Sequence, residues 1–163
     1  MSELRDTFLD ELADLYDAEQ QITKGLPKME EAAESDELKE AFRSHLDETE
    51  EQVKRLDQVF ELFQKEAKGK KCKAMKGLLE EADELIKENA GDAALICAAQ
   101  KVEHYEIASY GSLLSWARLL GEEEAADLLE ETLDEERATD ERLTEIAEST
   151  INVEEAEEEE EEK

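Results

Sequence analysis

The stretch Ala98–Leu113, A-A-Q-K-V-E-H-Y-E-I-A-S-Y-G-S-L, has helical periodicity with acids inside its apolar stripe. Residues three or four apart share a helix face. By that rule Glu103 falls among Ile96, Ala99, Ile107 and Tyr110, and Glu106 among Ala99, Val102, Tyr110 and Leu113. A buried carboxylate without a partner is costly and ordinarily takes up a proton. Something positive should therefore face these two acids, and a metal ion is the leading candidate. The constraint passes to the rest of the chain, which must bring matching ligands to the same height.

The other segments read as helices of the required length. One runs roughly from Ser2 to Ala33, with Ser2 as N-cap and the seam Phe8, Leu12, Leu15, Ile22, Leu26 and Met29. Gly25 and Pro27 interrupt it, so a kink or a break is expected there. Ser35-Asp36 is a turn and cap, and a second helix follows over roughly Glu37–Lys65. The basic run Lys68–Lys73 reads as a loop, and Ala74–Lys87 as a short helix. Asp92 is placed to cap a third long helix over Ala93–Leu120; Gly121 stops it, and a fourth runs over Glu122–Thr150. Residues 1–150 thus make one all-α domain, and 151–163 an acidic tail for which disorder is expected. Short connections pair the helices first with second and third with fourth. The long link between the pairs carries the short fifth helix. That is a four-helix bundle with one long crossover, the topology of ferritin-like folds.

Each long helix places a polar residue in its seam: Glu19 on the first, His45 and Glu48 on the second, Glu103 and Glu106 on the third, Glu136 and Asp140 on the fourth. The first turn, near Ser35, lies 16 residues from Glu19 and 13 from Glu48; the second, near Gly121, lies 18 from Glu103 and 15 from Glu106 and Glu136. At about 1.5 Å of rise per residue, all four sets come level at mid-bundle. Carboxylates converging from four helices suit two hard or borderline cations, iron or manganese. The competing reading is a solvated charge, since the chain is rich in Glu and any single seam carboxylate is ordinarily a flanking residue reaching water. The level alignment is what favours a site. One element of di-metal bundles is missing: Glu-x-x-His does not occur, because Glu51 and Thr139 stand three residues after Glu48 and Glu136.

The strings D-L-Y-D-A-E-Q-Q at Asp14–Gln21, H-L-D-E-T at His45–Thr49, D-A-A-L-I at Asp92–Ile96, Q-K-V-E-H-Y-E-I-A-S-Y-G at Gln100–Gly111 and E-T-L-D-E-E-R-A-T-D at Glu131–Asp140 resemble the YciF-type ferritin-like proteins, which are stress-associated. The resemblance spans nearly all of Arg5–Ala147. It implies a ferritin-like bundle, a homodimer, and a rubrerythrin-like carboxylate site. The ligands it implies are Glu19, Glu48, Glu103, Glu106 and Glu136, with His45 and Asp140 as further candidates.

Composition narrows the partners. Forty-nine acids against 19 basic residues give a formal charge of −30. Such a surface repels nucleic acid and anionic membranes, and its stability should rise with salt. No apolar run approaches the ~20 residues of a membrane span, and no leader is evident at Met1, so a cytoplasmic protein is expected. Cys72 and Cys97 lack CxxC spacing and read as free thiols. His104 reads as structural or as lying at a helix or subunit contact, turned away from Glu103. Tyr110 reads chiefly as a core aromatic, with a hydrogen bond to a ligand as the alternative. Three readings follow. The first is a di-metal carboxylate protein that oxidises Fe(II) with oxygen or peroxide. The second is a helical stress protein without a working metal site. The third and weakest is a storage shell.

Overall fold

The computed structural model describes residues 3–161, all helix and loop with no strand among them. The long helices are α1 (Glu3–Ala32), α2 (Asp36–Leu62), α4 (Asp92–Leu119) and α5 (Glu123–Ile146); α3 (Lys73–Lys87) lies in the crossover. The proposed N-cap Ser2 lies outside the described residues. Helices α1 and α2 form one hairpin and α4 and α5 the other, α2 packs on α5, and α3 lies against α1 and α4. The bundle with one long crossover is thus the one expected.

The seams become the core. Phe8, Leu12, Leu15 and Ile22 of α1, Leu38, Phe42 and Leu56 of α2, Leu113 of α4 and Leu129 and Leu143 of α5 are buried together. Ser35 caps α2 by accepting from the Leu38 backbone N–H. Gly121, at φ 74°, takes the left-handed conformation that ends α4. The crossover is pinned rather than loose. Lys70 N–H donates to the Ala13 carbonyl at 2.9 Å, Cys72 N–H to Asp17 at 2.8 Å, and the Cys72 sulfur caps α3 at Met75 N–H. On the other side of the bundle the Arg55 guanidinium grips both oxygens of Glu135 at 2.7 Å, a bidentate clamp of α2 on α5.

Two local expectations are corrected. The break expected at Gly25 and Pro27 does not occur: α1 runs through both as one helix, because the flanking Ile22, Leu26 and Met29 are buried and tertiary packing offsets the lost backbone bond. Asp92 does not cap its own helix. Its two oxygens accept from Glu34 N–H at 2.9 Å and Ser35 N–H at 2.7 Å, tying the α1–α2 turn to the start of α4. Beyond its last residue α5 continues through a π-helical stretch (Ala147–Ile151) into α6 (Asn152–Glu161), and residues 162 and 163 of the acidic tail lie outside the described residues. Ile151 is buried, and the Glu155 carboxylate accepts from Ala93 N–H at 2.9 Å. The tail thereby supplies the cap that Asp92 was expected to give.

Candidate metal centre

Helical phase and height bring Glu19 of α1, His45 of α2, Glu103 and Glu106 of α4 and Glu136 of α5 to one layer. Each is at most 2% exposed. Ligand atoms of His45, Glu103, Glu106 and Glu136 lie within 4.8 Å of one another, a grouping that can hold a metal ion. Donors bound to a cation at about 2.1 Å stand about 3 to 4.2 Å apart, so only a small contraction is required. Glu19 flanks this group. Its Oε1 accepts from the Tyr110 hydroxyl at 2.6 Å, which makes Tyr110 the positioning contact weighed from sequence as the lesser possibility.

The remaining candidates sit further out. Glu48 is half-buried and accepts from the Thr139 hydroxyl at 3.2 Å. Asp140 is held by His104 Nε2 at 3.2 Å and by Gln100, at the partly exposed edge of the layer. His104 is indeed turned outward, and its contact is a helix–helix one between α4 and α5. Thr139 went unremarked as a ligand partner because nothing in the α5 pattern separates it from a surface threonine.

The electrostatics of the layer are unbalanced. His45 Nε2 stands 3.0 Å from Glu103 Oε1 and 3.9 Å from Glu136 Oε2, yet without the alignment of a hydrogen bond. Both ring nitrogens of His45, both oxygens of Glu103, Glu106 and Glu136, and Glu19 Oε2 are buried with no partner. Buried polar atoms are nearly always satisfied. These nine orphans fall in one place and are of the kind that either share protons or bind a cation. Burial pushes the Glu19 carboxyl up to about 8, with the charge of Glu136 adding to it. Burial likewise pushes Glu103 up to about 8, opposed by its contact with Glu136 and reinforced by Glu19, Asp140 and Glu48. Glu106 and Glu136 are raised well above the usual carboxylate range, both chiefly by burial, Glu106 next by the charges of Glu136 and Glu19 and Glu136 next by the charge of Glu103. Burial thus favours the protonated carboxyls in the absence of a cation, whereas ligation requires the ionised ones.

A cleft of about 110 Å³ between α2 and α5 leads to His45 past Ser44, Glu48, Thr139 and Arg142. Its lining mixes polar and apolar side chains, and His45 is the residue of the buried layer that it reaches.

The family described as "Domain of unknown function (DUF892)" matches residues 3–156. Protein YciF of Escherichia coli (strain K12) is 50% identical over 157 residues, 93% of this chain and 95% of that protein. The solved structure of the E. coli stress protein YciF superposes with a TM-score of 0.84 at 49% identity, over 90% of this chain and 96% of that one. The structure of YcfI from Rhodopseudomonas palustris does so with a TM-score of 0.85 at 45% identity, over 88% and 94%. The chain belongs to this DUF892 family, the YciF-type proteins its sequence strings resemble.

Proposed function

From that membership and the buried layer, we propose that this chain is a stress-associated metal protein. Its bundle centre holds iron or manganese, two ions when full, and its role is to take up Fe(II) and consume oxygen or peroxide. The observation that carries the reading is the set of nine unpartnered donor atoms converging from four helices. His45, Glu103, Glu106 and Glu136 would hold the first ion, and Glu19 and Glu48 complete the set for a second. Iron or manganese would supply the one-electron redox change that none of these side chains can. The side chains have distinct tasks. Tyr110 fixes the Glu19 rotamer by donating to Oε1. Thr139 holds Glu48 at the mouth of the cleft. The apolar seams above and below the layer exclude water, which strengthens every charge interaction within it.

Elemental mass spectrometry of protein purified without chelators, in high salt, tests this. About two iron or manganese ions per chain are expected, the count a two-ion carboxylate site requires, and Glu103→Gln should lower it. No metal, and none taken up anaerobically from Fe(II), would move the reading to a helical stress protein whose buried acids share protons. The missing Glu-x-x-His pairs favour that alternative. The family resemblance further leads us to propose a cytoplasmic homodimer. Light scattering on eluting protein tests the stoichiometry and excludes or reveals a larger shell.

A further inference from the structure

The layer is approached from two sides of opposite character. On the α2–α5 side lies the polar cleft. On the other side, where α3 crosses α1 and α4, is a small pocket walled by Ile22 and Met29 of α1, Val102 of α4 and Leu79 of α3, with His45 and Glu103 also in its lining. Its volume is about 10 Å³, room for the centre of about one small molecule. We infer that this pocket is a binding site for one small apolar gas molecule, dioxygen being the ligand of that class, and that Leu79 is its lid.

The lining decides the class of guest. A trapped water needs two to four polar partners around it, whereas apolar voids stay dry and take up nonpolar guests. Here His45 and Glu103 are the only polar residues of the lining, and the rest of the wall is hydrocarbon. Their polar atoms are among the unpartnered ones, the His45 ring nitrogens and the Glu103 oxygens, and both residues are at least 98% buried. A guest in the pocket would therefore lie directly against the layer. Leu79 is half-buried, so this wall residue faces both the pocket and solvent. Gly25 clears the space for it: a Cβ at position 25 would stand 2.9 Å from Leu79 Cδ2, inside contact distance. The one glycine in the α1 seam region thus has a reason in the crossover helix. Charged and hydrated reactants have the α2–α5 cleft; a molecule with no charge to solvate has the short route under Leu79.

The identification of dioxygen as a reactant rests on the proposed function, but binding to the pocket requires no metal, so the two can be tested apart. The experiment is methyl NMR of the full-length, metal-free protein under several atmospheres of dioxygen, reading paramagnetic relaxation enhancement. Methyls of Ile22, Met29 and Val102 should be enhanced several-fold more than those of Leu12 and Leu56, which are comparably buried but do not line the pocket. Gly25→Ala, whose Cβ would stand 2.9 Å from Leu79 Cδ2 and force that side chain to move, should alter the enhancement at Ile22 and Val102. Equal enhancement across pocket and control methyls in the wild type overturns the proposal, with or without a folded variant. A water cross-peak to the pocket methyls with no dioxygen effect also overturns it. Enhanced pocket methyls in a protein that binds no metal would sustain the pocket and sink the metal reading. Two bound ions with no enhancement would do the reverse.

Discussion

The raised acids make metal-free stability fall as pH rises, and the size of the effect follows from the layer. Glu19 and Glu103 have an ordinary value of 4.5 and are pushed to about 8 in the fold. Below pH 4.5 both folded and unfolded chains hold these protons, so the stability is fully present. Above it the unfolded chain releases them and the folded chain keeps them. Stability is then lost until about pH 8, where the folded chain ionises too. Each retained proton costs about 1.4 kcal/mol per pH unit, so one such group amounts to about 5 kcal/mol across the window. That is a large share of a domain's 5–15 kcal/mol. Urea unfolding of chelator-treated protein between pH 5 and 8 measures it. The runs belong in 1 M salt, where the Debye length of about 3 Å screens the repulsion of the acidic surface. Wild type should lose stability with a slope of one proton or more. Glu19→Gln and Glu103→Gln, neutral at every pH, should each lower that slope by about 1.4 kcal/mol per unit. Added Mn(II) should reverse its sign, because ligands bind deprotonated. Identical slopes in wild type and both variants would refute the reasoning, since the pH dependence would then arise elsewhere.

Other consequences are more local. Tyr110→Phe removes the donor that holds Glu19 and should cost about 1–3 kcal/mol in a denaturant titration, leaving a second orphan oxygen on that carboxylate. Asp92→Ala strips two buried-turn N–H groups of their acceptor and should cost a similar 1–3 kcal/mol, whereas Asp92→Asn, keeping one acceptor, should cost less. Glu155→Ala leaves Ala93 N–H uncapped and should increase amide exchange at the start of α4 without altering metal content. With 49 acids against 19 bases, the melting temperature at neutral pH should climb between 0.01 and 1 M salt; a flat profile would mean the surface charge is structurally neutral.

The site was legible in sequence wherever burial and periodicity coincide. Glu19, Glu103, Glu106 and Glu136 each stand between seam residues, and an acid in that phase has nowhere to point but inward. His45 shares this property, its neighbours Ala41, Phe42, Thr49 and Gln52 being buried on the same helix. Contacts between helices are not encoded by phase on one helix. Thr139, Arg55 and Asp92 find partners 91, 80 and 57 residues away, and a surface pattern gives no hint of them. The tail's contacts are hidden from sequence for a related reason. Composition says that eight glutamates in ten residues repel one another, but it does not register that Ile151 docks or that a single carboxylate, Glu155, meets the positive end of α4.

The same logic explains why the layer is poor in histidine yet still suited to a cation. A lone buried carboxylate is expensive, and four of them around one imidazole are more so. A fold retains them only if their protonated form is tolerable and their ionised form is compensated. Tyr110, the rising of all four acids, and the clamp of Arg55 on Glu135 meet the first condition, holding the bundle shut around a neutral layer. The second condition requires two or more positive charges, and His45 can bring only one. That shortfall is a property of the donor set itself. It predicts that uptake of a divalent ion near neutral pH releases more than one proton per ion, measurable in weakly buffered solution by pH-stat. Release of none would mean that the cation does not enter among these acids.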